Sequence, residues 1–357
     1  MKFFKGFDLL IPSIVFIIGV LGMALMWSLT PHLFFQQLSF FLLGFVFLFI
    51  FSQIDFRIYW NIRWLIYLGV IFFLLLTFIL GEITRGSVRW IQLGPFTMQP
   101  SEIVKPFLLA FFAFWFADGQ VKFKRLIFGS ALFLLPALLV FRQPDLGSTL
   151  VLIASLLGIL LALELPFFII FSGLGLLILS LPVVWVFLAE YQKQRIFTFL
   201  NPNSDPLGSG YSIIQSVISI GSGELFGRGL GRGTQSHLDF LPERHTDFIF
   251  ASFTEELGFA GAILVILLYL FLLWRIIQIA KRSKPGYAQI FIFGVFAMLL
   301  FQIFVNIGMN LGIVPVTGIT LPFLSYGGSS ILATMILLGM VENIARSQKS
   351  SGAMEIR

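Results

Sequence analysis

The sequence contains no cysteine, and only 11% of its 357 residues carry a formal charge. The absence of cysteine excludes disulfide bonds and thiolate chemistry. Neither an ATP-binding P-loop, G-x-x-x-x-G-K-[ST], nor the zinc motif H-E-x-x-H is present. The glycine-rich stretch GRGLGRG at 227–233 lies outside any predicted strand–helix unit, so a dinucleotide site is not indicated. We therefore expect no nucleotide, haem or flavin cofactor.

Apolar residues are abundant instead, at 58% of the chain with 45 phenylalanines, whereas soluble domains contain about 45–50%. This composition predicts an all-α polytopic membrane protein, with residues 1–357 forming a single membrane domain. A spanning helix needs about 20 predominantly apolar residues. We predict about ten spanning helices, at 8–28, 33–53, 63–80, 101–117, 126–141, 148–163, 166–189, 253–275, 287–307 and 329–345.

The distribution of positive charge predicts the orientation. An excess of Lys and Arg, 23 against 17 Asp and Glu, could indicate nucleic-acid binding, but these residues lie mostly in short gaps between apolar runs. Lys2 and Lys5 precede an apolar run that is too long for a signal peptide, so we expect it to remain as the first span. With these lysines inside, inner segments hold 14 Lys and Arg and outer segments eight. The positive-inside rule then places both termini in the cytoplasm.

Two outer segments are too long to be simple connections. Residues 190–250 form a large, glycine-rich loop, and residues 308–330 contain no charged residue. They can be surface loops, or re-entrant segments that line a cavity, where irregular backbone is tolerated at membrane depth. Their apolar content favours the second interpretation.

The segment LPERHTDFIFASFTEELG, residues 241–258, concentrates charge beside an apolar run. That run, 258–274, covers about 25 Å at 1.5 Å per residue, less than a hydrocarbon core of about 30 Å. The helix should therefore begin earlier and place Glu255 and Glu256 near the outer interface. If it continues further, it brings Asp247 to an outer mouth, on the face shared by Ala251, Thr254 and Gly258. The alternative is an interfacial acid paired with Arg244.

A second polar cluster lies at residues 85–106. Ser101 suits the N-cap of the fourth span, Glu102 suits its positive end, and Lys105 follows at i+3, where it can pair with Glu102. Ionisable residues inside an apolar helix are costly, so they are candidates for function. The alternative is a neutralised pair that only supports helix packing.

A third cluster, RQPDLGS at 142–148, offers Arg142 for a phosphate and Asp145 for a cation, or merely caps a turn. Several arginines lie in outer segments, where the positive-inside rule disfavours them. Arginine binds phosphate esters through charge-assisted, often bidentate hydrogen bonds. The arginines in question are Arg85, Arg89, Arg142, Arg228, Arg232 and Arg244.

Five ordered motifs resemble the SEDS family (shape, elongation, division and sporulation) of bacterial peptidoglycan polymerases. They are RWIQLGPFTMQPSEIVK (89–105), RQPDLGS (142–148), GSGELFGRGLGRGTQ (221–235), LPERHTDFIFASFTEELG (241–258) and PVTGITLPFLSYGGSS (315–330). The resemblance covers nearly the whole chain. The form ERHTDFIF is more similar to the elongation branch of the family than to its division branch.

The resemblance implies a glycosyltransferase of the bacterial cytoplasmic membrane that polymerises lipid II at the outer face. It also implies that Asp247 is the essential acid and that Glu102 and Lys105 belong to the site. Further motif residues are expected to bind substrate or support the site: Arg89, Gln99, Ser101, Arg142, Asp145, Arg244, His245, Ser325, Tyr326, Gly327 and Gly328. The implied partners are a class B penicillin-binding protein transpeptidase and other membrane proteins of the elongation complex, with no nucleic acid.

The predicted chemistry needs one carboxylate. A lipid diphosphate is already a good leaving group, so Asp247 can act alone as general base on the sugar hydroxyl of the acceptor, with inversion at the donor carbon. Arginines would stabilise the charge of the departing diphosphate, and a divalent cation such as Mg²⁺ or Mn²⁺ could act beside them.

Three alternatives remain open: a lipid II flippase, a scaffold whose acids hold a partner, and a division or sporulation member of the same family. A flippase needs polar groups through the full depth of the membrane. The inner halves of the predicted spans are apolar and the acids cluster outside, which favours the enzyme.

Overall fold

The structure, a computed structural model, describes residues 7–84, 87–94, 96–119, 122–206, 208, 210–283 and 286–352. Lys2, Lys5 and Arg85 lie outside these residues, as do Lys284 and Arg357, which are among the 14 inner positive residues counted above. Helices make up most of the described chain. They are α1 (Leu10–Leu29), α2 (Pro31–Gln53), α3 (Phe56–Asn61), α4 (Arg63–Leu80), α5 (Pro100–Ile103), α6 (Lys105–Ala117), α7 (Phe123–Arg142), α8 (Leu146–Leu161), α9 (Phe167–Phe187), α10 (Glu190–Leu200), α11 (Tyr211–Ser222), α12 (Thr234–His237), α13 (Ile249–Arg282), α14 (Tyr287–Asn310) and α15 (Gly328–Gly352).

The predicted polytopic all-α class is confirmed. Nine helical stretches among the described residues are long and apolar enough to cross a membrane, and α8 is a shorter apolar helix of 16 residues. α5 and α6 together form one of the nine. The sixth and seventh predicted spans, which only three residues separate in sequence, are indeed distinct helices, α8 and α9. Helices predominate because a spanning segment must satisfy its own backbone hydrogen bonds.

A small sheet between α4 and α5 was not predicted. Strands β1 (Glu82–Thr84), β2 (Ser87–Leu93) and β3 (Phe96–Met98) pair antiparallel in the order β1-β2-β3. Ile91 faces Met98 across the second pairing. The sequence analysis treated this region as a connection between spans, but the sheet gives Arg89 a fixed position on β2.

Close helix contacts place the site-bearing segments. α2 packs along α15, and α8 packs along α14. Gly158 permits the second contact, because a Cβ there would meet the backbone oxygen of Phe293. Small residues allow such approach between membrane helices. In contrast, none of the α9 residues whose burial the structure describes is buried, so this helix lies at the surface of the bundle.

Most non-spanning elements lie at one end of the bundle, and only the short α3, between α2 and α4, is described at the other. Because successive spans alternate in direction, the sheet, α10, α11, α12 and residues 311–327 all follow helices that end on the same side. We call this side the cavity end. Residues 319, 321 and 323–325 are buried there among the helix ends, so this uncharged segment is part of the interior.

Candidate active site

A polar cavity of about 470 Å³ opens at the cavity end. Its walls come from six regions that are far apart in sequence: 36–40, 89–105, 148–151, 191–195, 243–247 and 317–330. Nine residues singled out in the sequence line it: Arg89, Gln99, Glu102, Lys105, His245, Asp247, Tyr326, Gly327 and Gly328.

Asp247 lies in a series of turns before α13, and not on the helix itself. The prediction that Asp247, Ala251, Thr254 and Gly258 share one helical face is therefore wrong. The turns have their own hydrogen bonds, from the N–H of Thr246 and of Phe248 to the carbonyl of Glu243, both 3.1 Å. These bonds hold the chain around Asp247 in a non-helical path that exposes part of its side chain to the cavity.

Gly258 interrupts α13 as well. Its backbone has φ 69° and ψ −171°, a conformation outside the helical region that glycine adopts at little cost. The N–H groups of Phe259 and Ala260 donate to the carbonyls of Glu224 and Leu225, at 2.9 and 3.0 Å. The outer loop thus satisfies the donors of the second half of α13, and a single continuous helix, as predicted, does not form.

The charges of residues 241–258 serve separate purposes. Arg244 forms an ion pair with Asp239, and its partial burial lowers the pKa of its guanidinium. Glu243, His245 and Asp247 line the cavity. Glu255 and Glu256, which the sequence placed near the outer interface, are both buried and do not line the cavity.

Glu255 and Glu256 fasten the outer loop to α13. Glu255 accepts hydrogen bonds from the N–H groups of Gln235 and Ser236, at 2.8 and 2.9 Å. Glu256 accepts one from the Ser28 hydroxyl at 2.8 Å and contacts His237 Nε2 at 2.7 Å. Both side chains are fully buried, so their role in the structure is to hold residues 234–237 in place.

The predicted Glu102–Lys105 pair is present. The Lys105 ammonium donates to Glu102 Oε1, and the Lys105 side chain is only 1% exposed. The Ser148 hydroxyl donates to the same carboxylate oxygen at 3.4 Å. Both partners line the cavity. This pair therefore joins the fourth span to α8 at the wall of the site.

Ser101 is not the N-cap that the sequence analysis predicted. The helix begins at Pro100, because proline is favoured at the first helical position, and Gln99 occupies the cap. Ser101 is completely buried and donates instead to Asp145 Oδ2 at 3.2 Å.

Asp145 is a buried junction behind the cavity wall. It accepts from Gln99 Nε2 at 2.6 Å, and its other oxygen lies 3.9 Å from Arg89 Nη1. It also caps α8 by accepting from the N–H of Ser148 at 3.0 Å. Of the two roles that the sequence offered for Asp145, a cation ligand or a cap, the structure shows the cap. Arg142 is exposed at the end of α7 and is not among the residues that line the cavity.

Residues 325 and 326, just before α15, hold the turns around Asp247 in place through hydrogen bonds. The Ser325 hydroxyl donates to the carbonyl of Thr246 at 2.7 Å, and the N–H of Tyr326 donates to the carbonyl of His245 at 2.8 Å. The Tyr326 hydroxyl donates to Gln36 on α2 at 2.9 Å. Burial raises the pKa of Tyr326 above its ordinary value, which already lies well above neutral pH, so the hydroxyl is protonated and can donate.

α15 begins at Gly328, and Gly327, Gly328, Ser329 and Ser330 all line the cavity. The positive end of a long helix dipole is therefore directed at this space. Ser329 also accepts from the N–H of Gln99 at 2.9 Å, which joins this end to the fourth span.

Residues of α10 complete the cavity, although the sequence analysis did not single them out. The Tyr191 hydroxyl donates to the carbonyl of Pro144 at 2.6 Å, and Arg195 Nη1 donates to that of Val316 at 3.3 Å. Burial raises the pKa of Tyr191, while nearby Arg89 and Arg195 act to lower it. The available signal was the i, i+4 spacing of Tyr191 and Arg195 on an amphipathic helix.

The position of Gly318 shows how near Arg195 comes to the acid. A Cβ built on this glycine would lie 3.6 Å from Asp247 Oδ2 and 3.9 Å from Arg195 Nη1. The carboxylate and the guanidinium thus flank the same small residue. Within the described residues, no group of three His, Cys, Asp or Glu side chains is close enough to hold a metal ion.

A bundle of spanning helices with a charged cavity at one end defines the class of protein, a polytopic membrane protein with a polar site at a helix-end surface. A family model described as "Cell cycle protein" (FtsW, RodA, SpoVE) matches residues 3–350. The chain therefore belongs to this family, as the sequence motifs predicted.

Similar proteins span nearly the same length. Peptidoglycan glycosyltransferase MrdB of Escherichia coli (strain K12) is 41% identical over 316 residues, which cover 86% of this chain and 84% of MrdB. Stage V sporulation protein E of Bacillus subtilis (strain 168) is 38% identical over 359 residues, with coverage of 95% and 97%. The probable peptidoglycan glycosyltransferase FtsW of Geobacter sp. (strain M18) is 32% identical, with coverage of 98% and 100%.

Solved structures agree with the fold. The crystal structure of the Thermus thermophilus rod shape determining protein RodA gives a TM-score of 0.73 at 28% identity and covers 96% of this chain and 97% of RodA. A chain from a peptidoglycan synthase complex, described as coordinating polymerization and crosslinking, gives 0.83 at 32% identity, with coverage of 96% and 98%.

Proposed function

We propose that this protein polymerises lipid II into glycan strands at the outer face of the cytoplasmic membrane, with Asp247 as general base. The chain is a peptidoglycan glycosyltransferase, as its family and the names of its relatives indicate. The observation that carries the finer proposal is the position of Asp247 in a cavity shared with Arg89, Lys105 and Arg195.

The reaction joins an acceptor hydroxyl to the anomeric carbon of a diphosphate-linked sugar. The new bond forms between the hydroxyl oxygen and that carbon, the carbon–oxygen bond to the diphosphate breaks, and the hydroxyl proton moves to Asp247. The bond pair leaves with the diphosphate, which needs no protein acid. Attack opposite the leaving group inverts the anomeric carbon, and one carboxylate suffices.

Positive groups in the cavity suit the departing diphosphate. Arg89 and Arg195 both line the cavity and both lie near Tyr191, and their planar guanidinium groups match the geometry of phosphate oxygens. The N-terminus of α15 adds backbone donors and a favourable dipole. Groups fixed in place before the reaction stabilise developing charge without reorganisation.

A divalent cation would fit only as a metal that is held largely by the substrate. Mg²⁺ is commonly bound by one or two carboxylates together with substrate phosphates. Glu243 and Asp247 both line the cavity and could supply such a carboxylate. The cation would add charge to neutralise the diphosphate.

The shallow reach of the cavity favours an enzyme over a flippase. Its lining residues on α2 and α8, Gln36, Phe40, Ser148 and Val151, lie within nine residues of the helix starts at Pro31 and Leu146. At 1.5 Å per residue this is a depth of about 14 Å, under half a hydrocarbon core. A path for lipid transfer would need polar lining further along these helices.

Orientation, cellular role and partners form part of the same proposal. The charge bias supports cytoplasmic termini and an extracytoplasmic cavity. The ERHTDFIF motif supports a role in cell elongation. The similarity to a chain of a peptidoglycan synthase complex supports a class B penicillin-binding protein as the partner that crosslinks the new strands.

The test is polymerisation of purified lipid II by wild type and Asp247→Asn, with glycan length resolved on a gel in several divalent cations. The amide keeps the size of the side chain but cannot accept the proton, so the rate should fall by roughly 10²–10⁴-fold. Asp239→Asn is the matched control, because Asp239 is 79% exposed and does not line the cavity. Near-normal polymer from Asp247→Asn would refute the base, whereas lipid transfer without any polymer from wild type would identify a flippase.

A further inference from the structure

Two asparagines of α14 contact the main chain of Asp247 from behind the cavity. Asn306 Nδ2 donates to the carbonyl of Asp247 at 3.1 Å, and Asn310 Nδ2 donates to the same oxygen at 3.0 Å. Both side chains are completely buried, and neither lines the cavity. Burying an amide in a spanning helix costs free energy unless its polar atoms form hydrogen bonds, and here both side-chain nitrogens point at one atom.

Asn306 also fixes the opposite wall. Its Nδ2 donates to the carbonyl of Ile319 at 2.7 Å. Ile319 follows Gly318, the residue that Asp247 Oδ2 and Arg195 both approach. One amide nitrogen therefore holds together the two main-chain segments between which the Asp247 carboxylate lies.

Asn310 fixes the start of α13. Its Oδ1 accepts from the N–H of Ala251 at 3.0 Å, one of the donors that the first turn of a helix cannot satisfy internally. Asn310 thus caps α13 from another helix. Its nitrogen at the same time holds Asp247, which lies two positions before Ile249, the first helical residue. The i, i+4 spacing brings both asparagines to one face of α14, and Asn310 Nδ2 bonds the Asn306 carbonyl at 2.8 Å.

We infer that Asn306 and Asn310 are positioning residues for the transfer reaction, which set the place of the Asp247 carboxylate by holding its carbonyl. The inference rests on the proposed role of Asp247 as base. Because Asp247 lies in turns, no helical hydrogen-bond ladder fixes it, and the two amides take that role. A displacement of about 1 Å at a reacting group can cost roughly 100-fold in rate.

The experiment measures lipid II polymerisation by full-length Asn306→Leu and Asn310→Leu as a function of lipid II concentration and pH. Leucine keeps the approximate volume and removes the donors. Gln302→Leu is the matched control, because Gln302 lies one turn away on α14, is 1% exposed, and its Oε1 has no hydrogen-bond partner in the described part of the chain. Asn306→Ser, which keeps one donor, replaces Asn306→Leu if the latter does not fold.

We expect the maximal rate of Asn306→Leu to fall by roughly 30–100-fold with a half-saturating lipid II concentration within about threefold of wild type. The acid limb of its pH–rate profile should shift, because the base sits in altered surroundings. Gln302→Leu should keep the wild-type rate and profile even if it is equally destabilised.

The deciding measurement repeats Asn306→Leu in the Asp247→Asn background. If Asn306 acts through Asp247, the residual rate should change by less than about threefold, because the base that it positions is already absent. An equal loss in both backgrounds, or a normal rate in Asn306→Leu alone, would overturn the inference while leaving Asp247 as base. A normal rate in Asp247→Asn would instead refute Asp247 as the base, and lipid transfer without polymer from wild type would refute the polymerase function.

Discussion

The buried Glu102–Lys105 pair leads to a prediction in which two changes do less harm than one. Breaking a buried ion pair by removing one partner costs about 3–5 kcal/mol, because the other charge is left without compensation. Replacing both partners with neutral groups of similar size is often nearly neutral. The side chains of Lys105 and Glu102 are 1% and 11% exposed, so solvent screens little of whichever charge is left alone.

The variants are Lys105→Met, Glu102→Gln and the double substitution. We expect Lys105→Met to lose about 3–5 kcal/mol of stability and the double variant to stay within about 1 kcal/mol of wild type. Glu102→Gln should be less severe than Lys105→Met, because its amide oxygen can still accept from Lys105 and from Ser148. In Lys105→Met, by contrast, the Glu102 carboxylate keeps only the Ser148 hydroxyl, at 3.4 Å, as a hydrogen-bond donor.

Thermal unfolding of the detergent-solubilised protein measures stability, and polymerisation of lipid II measures activity. The control is Lys193→Met, which breaks the i, i+3 pair with Glu190, whose side chain is 90% exposed. Such a surface pair contributes little, so stability should be unchanged. A double Glu102/Lys105 variant as unstable as Lys105→Met would refute the coupling and indicate independent roles.

Three further predictions use other parts of the structure. Gly258→Ala and Gly231→Ala should each lose about 1–3 kcal/mol in thermal unfolding, because both glycines have a positive φ that other residues adopt only with strain. Gly258→Ala should lose clearly more, because its Cβ would collide with residues 225–227, whereas Gly231 faces open space; equal losses would show that this backbone approach is unimportant. Tyr191→Phe should slow polymerisation severalfold by loosening α10, with Tyr211→Phe, on neighbouring α11, as the control; an unchanged rate would remove α10 from the site. Single cysteines at 57 and 122 should react with membrane-impermeant reagents only after the cytoplasmic side is exposed, and one at 232 should react in intact cells; outside labelling at 122 would refute the topology.

The spanning helices and the Glu102–Lys105 contact were predictable from sequence because local rules determine them. A bilayer requires long apolar runs to satisfy their backbone internally, so each run marks a helix. An i, i+3 spacing brings two side chains to the same face of a helix. Neither inference needs knowledge of any distant segment.

The remaining features depend on distant partners. The break at Gly258 depends on carbonyls of residues 224 and 225, and the burial of Glu255 depends on N–H groups of 235 and 236. Arg195 reaches the cavity because of the placement of α10 against Pro144 and Val316. The asparagines of α14 were detectable as buried amides in an apolar span, but their common target was not.

The last spanning helix, α15, is synthesised last, and its contacts with earlier spans complete the cavity only then. Gln37 donates to the carbonyl of Ser325 at 3.1 Å, and Ser329 accepts from Gln99, so early spans are joined at the cavity by residues that leave the ribosome late. Until residues 325–330 have entered the membrane, the wall that they form is missing and the Asp247 turns lack their support. A nascent or truncated chain that lacks these residues should therefore insert its first nine spans and yet be unable to polymerise glycan.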